Sequence, residues 1–143
     1  MKKARKQQII TVVLLVIFLG STFAMFQPEE KKEEAWKVKL EIAIFGELQQ
    51  IPSDVGVKDG TKSKLYTLET DNIIYKEGTE DVKLKEFFEI WGENFNSTCI
   101  FDYCNSGNNS MKMYIWENDK WVQNSDYELY VMKNNDVITI DYR

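Results

Sequence analysis

Leu84-Lys85-Glu86-Phe87-Phe88-Glu89-Ile90-Trp91-Gly92 spells out one amphipathic α-helix and its stop signal. Leu84, Phe87, Phe88 and Trp91 recur at i, i+3, i+4 and i+7, the spacing that lines up a single helical face. Lys83, Lys85, Glu86 and Glu89 take the opposite face. Gly92 follows, the residue type that most readily adopts the left-handed conformation ending a helix. An aromatic stripe at this spacing forms core, so Phe88 and Trp91 are expected to pack under a sheet.

The flanking sequence supplies that sheet. Val38, Leu40, Ile42 and Ile44 alternate with Lys37, Lys39, Glu41 and Ala43, the period of a half-buried strand. Gly46-Glu47 reads as a tight turn, and Leu48 to Ile51 as a shorter second strand that Pro52 ends. Asp54-Val55-Gly56 and Lys58-Asp59-Gly60 read as turns. Leu65 to Leu68 and Ile73 to Tyr75 then form an inserted hairpin around Thr70-Asp71-Asn72. Beyond the helix, Met111, Met113 and Ile115 alternate with Lys112, Tyr114 and Trp116, and Glu117 to Lys120 turns the chain. Leu129-Tyr130-Val131 is a short apolar piece. After Asn134-Asn135-Asp136, the run Val137-Ile138-Thr139-Ile140 has strong strand propensity and is apolar enough for a central place. This order has one compact solution, an α+β fold in which a mixed sheet carries a single helix across one face. That is the β-grasp, or ubiquitin-like, arrangement, with the first and last strands parallel at the centre.

The N-terminus has a different character. Lys2, Lys3, Arg5 and Lys6 precede an uncharged run from Ile9 to Phe26, 18 residues long. As a helix this run spans about 27 Å, close to the hydrocarbon thickness of a bilayer. Basic residues before a membrane segment hold that end in the cytoplasm. The expected organisation is a basic cytoplasmic segment (1–8), a transmembrane signal-anchor (9–26), a charged stalk (27–35) and an extracytoplasmic domain (36–143). The final domain would then lie outside a single-pass cell membrane. Thr22-Phe23-Ala24 would also suit signal-peptide cleavage, although Met25 and Phe26 prolong the apolar run past that point.

Composition narrows the chemistry. All 23 acidic residues follow the apolar run while four of the 18 basic ones precede it, leaving the exported part at a net −9. Nucleic acid is therefore not an expected partner, since phosphate binding needs a basic face. The chain contains no histidine. Ser-His and Cys-His catalytic pairs are excluded, together with the commonest zinc ligand, and no metal, cofactor or catalytic residue is expected. Cys99 and Cys104 stand on the exported side, where disulfides persist, and are read as a structural staple on the loop after the helix. Their C-x₄-C spacing differs from the C-x-x-C of redox-active pairs. Asn96-Ser97-Thr98 and Asn108-Asn109-Ser110 are glycosylation sequons, making Asn96 and Asn108 candidate acceptors.

Taken with Leu84 to Gly92, the segments Ile51-Pro52-Ser53-Asp54-Val55-Gly56-Val57, Leu65-Tyr66-Thr67, Ile73 to Glu77 and Asn135 to Ile140 resemble a group of membrane-anchored, extracytoplasmic β-grasp domains found chiefly in archaea. The likeness spans nearly all of the exported domain, and Phe87-Phe88-Glu89-Ile90-Trp91-Gly92 is its most specific part. It implies the same fold and the same tether. Where that group carries histidines, this chain has Tyr66, Leu68 and Tyr75, so whatever those histidines do, metal binding included, does not carry over. The group's helix opens on a capping hydroxyl, whereas Lys83-Leu84-Lys85-Glu86 opens this one, and the capping box is expected to be lost. The group's Gly-containing hairpin is Trp116-Glu117-Asn118-Asp119 here. The resemblance thus implies a divergent member that keeps the fold and loses a site.

The expected function is a membrane-tethered binding or interaction module without catalysis, directed at a protein or small molecule. Tyr66, Tyr75, Trp116 and Trp121 are candidate contact aromatics, each with ordinary sheet packing as the competing explanation. The alternative is an accessory of extracytoplasmic thiol–disulfide chemistry using Cys99 and Cys104. A ubiquitin-like modifier is not expected, because Asp141-Tyr142-Arg143 offers no Gly-Gly to activate.

Overall fold

The structure, a computed structural model, describes residues 35–143. The expected membrane segment Ile9 to Phe26, with the orientation and stalk that depend on it, lies outside the described residues.

Among the described residues, a seven-stranded mixed sheet and one α-helix make up the fold. The strands of the sheet are β1 (Lys37–Ile44), β2 (Glu47–Gln49), β5 (Leu65–Tyr66), β6 (Ile73–Lys76), β9 (Met111–Glu117), β10 (Lys120–Asn124) and β11 (Val137–Tyr142). Two small hairpins stand apart from it, β3 (Val57–Lys58) with β4 (Thr61–Lys62) and β7 (Cys99–Ile100) with β8 (Tyr103–Cys104). The helix α1 is Leu84–Trp91. The strand order is β10-β9-β11-β1-β6-β5, with β2 also paired to β1.

The first and last strands are parallel neighbours, with Leu40 opposite Ile138 and Ile42 opposite Ile140. β9 runs antiparallel on the far side of β11, setting Ile115 against Ile138 and Met113 against Ile140. Side chains alternate across a strand, so this register gathers Val38, Leu40, Ile42, Ile138, Ile140, Met113 and Ile115 on one face. All are buried, in one cluster with Leu84, Phe87 and Phe88 of α1. Trp91 lies at the rim of that cluster, half-buried, with its ring edge-on to Phe101 at 5.5 Å. Gly92 ends the helix at φ 83°, its N–H donating to the Phe88 carbonyl at 2.8 Å.

Several local expectations change. The β1–β2 turn centres on Phe45 and Gly46, one residue earlier than the glycine alone implied, with φ of 49° and 84°. The hairpin read as an insertion is the edge of the main sheet. β6 pairs with the first half of β1 while β2 pairs with its last three residues, so the two share one edge. Asn72 occupies the junction: its carbonyl accepts from Leu40 N–H at 2.9 Å and its Oδ1 from Ile51 N–H at 3.0 Å. The residues after Lys120 form a strand that the sequence pattern did not announce, because Lys-Trp-Val-Gln-Asn carries only one residue, Val122, for the apolar face. The capping box is lost only in part. Lys83 offers no accepting side-chain atom, yet Glu86 Oε2 still accepts from the Lys83 backbone N–H at 2.6 Å.

Candidate functional site

The second face of the sheet has no helix on it among the described residues. Register places Glu41, Thr139, Tyr114 and Gln123 in one row across β1, β11, β9 and β10. Ala43, Asp141 and Lys112 form the next row. A shallow groove of about 520 Å³ runs over these rows, lined by Glu41, Ala43, Gly46, Tyr114, Trp121, Thr139, Asp141 and Arg143. It adjoins a second hollow, lined by Asn108, Ser110 and Lys112, with which it shares Tyr114, Asp141 and Arg143.

Each carboxylate in the groove has a cation beside it. Lys39 Nζ lies 2.7 Å from Glu41 Oε1, and Arg143 Nε donates to Asp141 Oδ2 at 2.6 Å. The Asp141 carboxylate in turn holds the Arg143 guanidinium above its ordinary pKa. Two polar atoms in the groove are shielded from solvent and have no hydrogen-bond partner, Thr139 Oγ1 and Asp141 Oδ1. Leaving such an atom unpaired costs about 1–3 kcal/mol, so a ligand that supplied a partner would recover part of that cost.

The four candidate aromatics form two pairs at opposite edges of the sheet rather than one cluster. Trp116 and Trp121 face each other across β9 and β10, ring centroids 5.1 Å apart and edge-to-face, and remain 43% and 46% exposed. Trp121 forms one wall of the groove. Tyr66 and Tyr75 stack at 5.7 Å across β5 and β6. Tyr66 is only 7% exposed, with Lys62 over its ring and its hydroxyl donating to Glu77. Burial, then the Glu77 carboxylate, raises its phenol pKa. The two tyrosines pack against each other rather than present an open surface, whereas Leu68 nearby is exposed. Between them Thr67 is fully buried, its Oγ1 donating to the Pro52 carbonyl and accepting from Val55 N–H.

Cys99 and Cys104 are bonded across the β7–β8 hairpin, their Cα atoms 4.0 Å apart. That hairpin is tied to the end of β11, where the Tyr142 hydroxyl donates to the Cys104 carbonyl at 2.8 Å. Asn96 uses its Oδ1 to accept from the backbone N–H groups of Thr98 and Cys99, which folds its sequon into a tight turn. Asn108 is exposed and borders the groove's second hollow. Among the described residues, no group of three or more His, Cys, Asp or Glu side chains is arranged to hold a metal ion.

Comparison with protein-family models, curated proteins and solved structures finds no match to this chain. Sequence reasoning missed Tyr114, Thr139, Asp141 and Arg143. The available signal was period-two alternation, which sets all four opposite the core residues of β9 and β11; it marks a face but not which strands lie side by side.

Proposed function

We propose that this chain is a membrane-tethered, extracytoplasmic binding module of β-grasp type, without catalysis. The strand order supports the fold assignment, because a parallel central pair formed by the first and last strands, crossed by one helix, is what that arrangement requires. The tether rests on the apolar run from Ile9 to Phe26 behind its basic flank. The observation that carries the binding role is the groove on the open face, where an exposed tryptophan wall meets paired charges and unpartnered oxygens. Concave sites with an apolar wall and a few convergent polar groups are the usual form of a small-molecule site. The Cys99–Cys104 bond supports a staple better than an exchange reaction, since it joins facing strands of one hairpin that Tyr142 fastens down.

Amide NMR of the full chain against a fragment library of neutral, cationic and anionic compounds tests the binding role. Shifts concentrated on Tyr114, Trp121 and Thr139 to Arg143 are expected. Shifts confined to the Tyr66–Tyr75 edge or the helix side would overturn it. N-terminal sequencing of membrane-derived protein tests the tether; a mature chain beginning at Met25 would contradict it.

A further inference from the structure

We infer that the groove takes a neutral saccharide, one sugar ring lying against Trp121 while its hydroxyl groups engage Thr139, Asp141 and Arg143. This rests on the binding-module reading and goes beyond it by naming the ligand's chemistry.

Charge comes first. Both groove carboxylates already sit beside a cation, Glu41 with Lys39 and Asp141 with Arg143. A cationic ligand would compete with those lysine and arginine partners for the carboxylates, and an anionic one would compete with Glu41 and Asp141 for the cations. A neutral ligand needs to replace neither charge.

Hydrogen-bonding capacity comes next. Asp141 Oδ1 is an acceptor without a donor, and Thr139 Oγ1 can both donate and accept. A hydroxyl group serves both, and a sugar presents several at fixed spacing. Neither oxygen is open to solvent as the side chains stand, so a ligand that reaches them requires a small shift of the side chains lining the groove. The Arg143 side chain is 77% exposed, so it can donate to a ligand while it stays bonded to Asp141. Its guanidinium N–H groups can donate to hydroxyl oxygens.

The wall supplies the third requirement. A pyranose has an apolar C–H face that packs flat on an indole, and Trp121 offers a ring braced by Trp116 and half open to solvent. Tyr114, in the row beside Thr139, adds a second ring with a polar tip. The adjoining hollow at Asn108, Ser110 and Lys112 gives a second sugar unit polar side chains to meet.

The test is calorimetric titration of the full chain in a sugar-free zwitterionic detergent with N,N′-diacetylchitobiose, cellotetraose and mannotetraose. Tetralysine and inorganic phosphate serve as charged probes. Saturable binding of at least one saccharide is expected, weakened by about tenfold or more in Trp121→Ala and in Asp141→Asn, a loss of about 1.4 kcal/mol each. Leu129→Ala, on the helix side, should bind as the parent does, and amide spectra of all variants establish that they are folded. Binding unchanged by Trp121→Ala overturns the inference. So does a groove that binds tetralysine or phosphate and no saccharide, although that result leaves the binding-module reading standing. Silence toward every probe, with the fragment library also silent, overturns both.

Discussion

The Tyr142 hydroxyl donates to the Cys104 carbonyl across 2.8 Å, joining the last residue of β11 to the disulfide hairpin. The tyrosine ring also meets Phe45 and Tyr103, so the hairpin, the β1–β2 turn and the final strand share one aromatic corner. Closing so short a loop with a disulfide contributes about 2 kcal/mol on the chain-entropy account. Reduction should lower the urea midpoint modestly and leave the fold intact. Tyr142→Phe should cost about 1 kcal/mol, the usual worth of one hydrogen bond. Non-reduced peptide mapping should recover Cys99 and Cys104 in a single linked species; free thiols or intermolecular linkage would count against the staple.

Phe88 is 1% exposed and stacks on Phe95 with centroids 4.5 Å apart. Phe88→Ala should destabilise the domain by about 3–5 kcal/mol, the range for deleting a buried aromatic. Trp91→Ala should cost less, because Trp91 is at the rim and only partly buried. Denaturant unfolding of the two variants gives the order directly, and a Phe88→Ala effect below about 1 kcal/mol would mean that this face of the helix is not core.

Gly56 and Gly46 make a matched pair of tests. Both have positive φ, 72° and 84°, so an alanine at either incurs a left-handed penalty of about 1–2 kcal/mol. At Gly46 a Cβ would meet open space, whereas at Gly56 it would lie 2.2 Å from the Leu65 carbonyl oxygen. Gly56→Ala must therefore displace backbone, and its loss of stability should clearly exceed that of Gly46→Ala in the same unfolding assay.

Glu86 supplies a pH signature. The Lys64 ammonium, foremost, and the Lys83 backbone N–H hold its carboxyl below the ordinary range, against the opposing effect of burial. A carboxylate depressed in the folded state adds stability above its unfolded pKa of about 4.3, and that stability is lost as pH falls through the folded value. Glu86→Gln should therefore lower stability at pH 7 and make no difference below the folded pKa. Urea midpoints measured from neutral to acid pH should converge for parent and variant; a constant gap would contradict the assignment.

How far the sequence speaks depends on whether an element is defined by its own spacing or by its neighbours. The Leu84 to Trp91 stripe and the alternation in β1, β9 and β11 are local, and each appears where its period places it. β10 escaped because Trp121 faces the groove and its pattern resembles a solvated loop. The turn at Phe45 escaped because a bulky residue at φ 49° is an unexpected choice, stabilised here by ring contacts to Tyr103 and Tyr142. The groove is a product of register. Glu41 and Thr139 become neighbours only when the first and last strands pair in parallel, and nothing local to either residue says so.

A crystal structure of the full chain soaked with whichever of the three saccharides binds most tightly tests the central claim, that the open-face groove is the functional surface. The account predicts a sugar ring flat against Trp121, with a hydroxyl within hydrogen-bond distance of Asp141, Thr139 or Arg143. Sugar density on the helix side, at the Tyr66–Tyr75 edge or nowhere at all would contradict it.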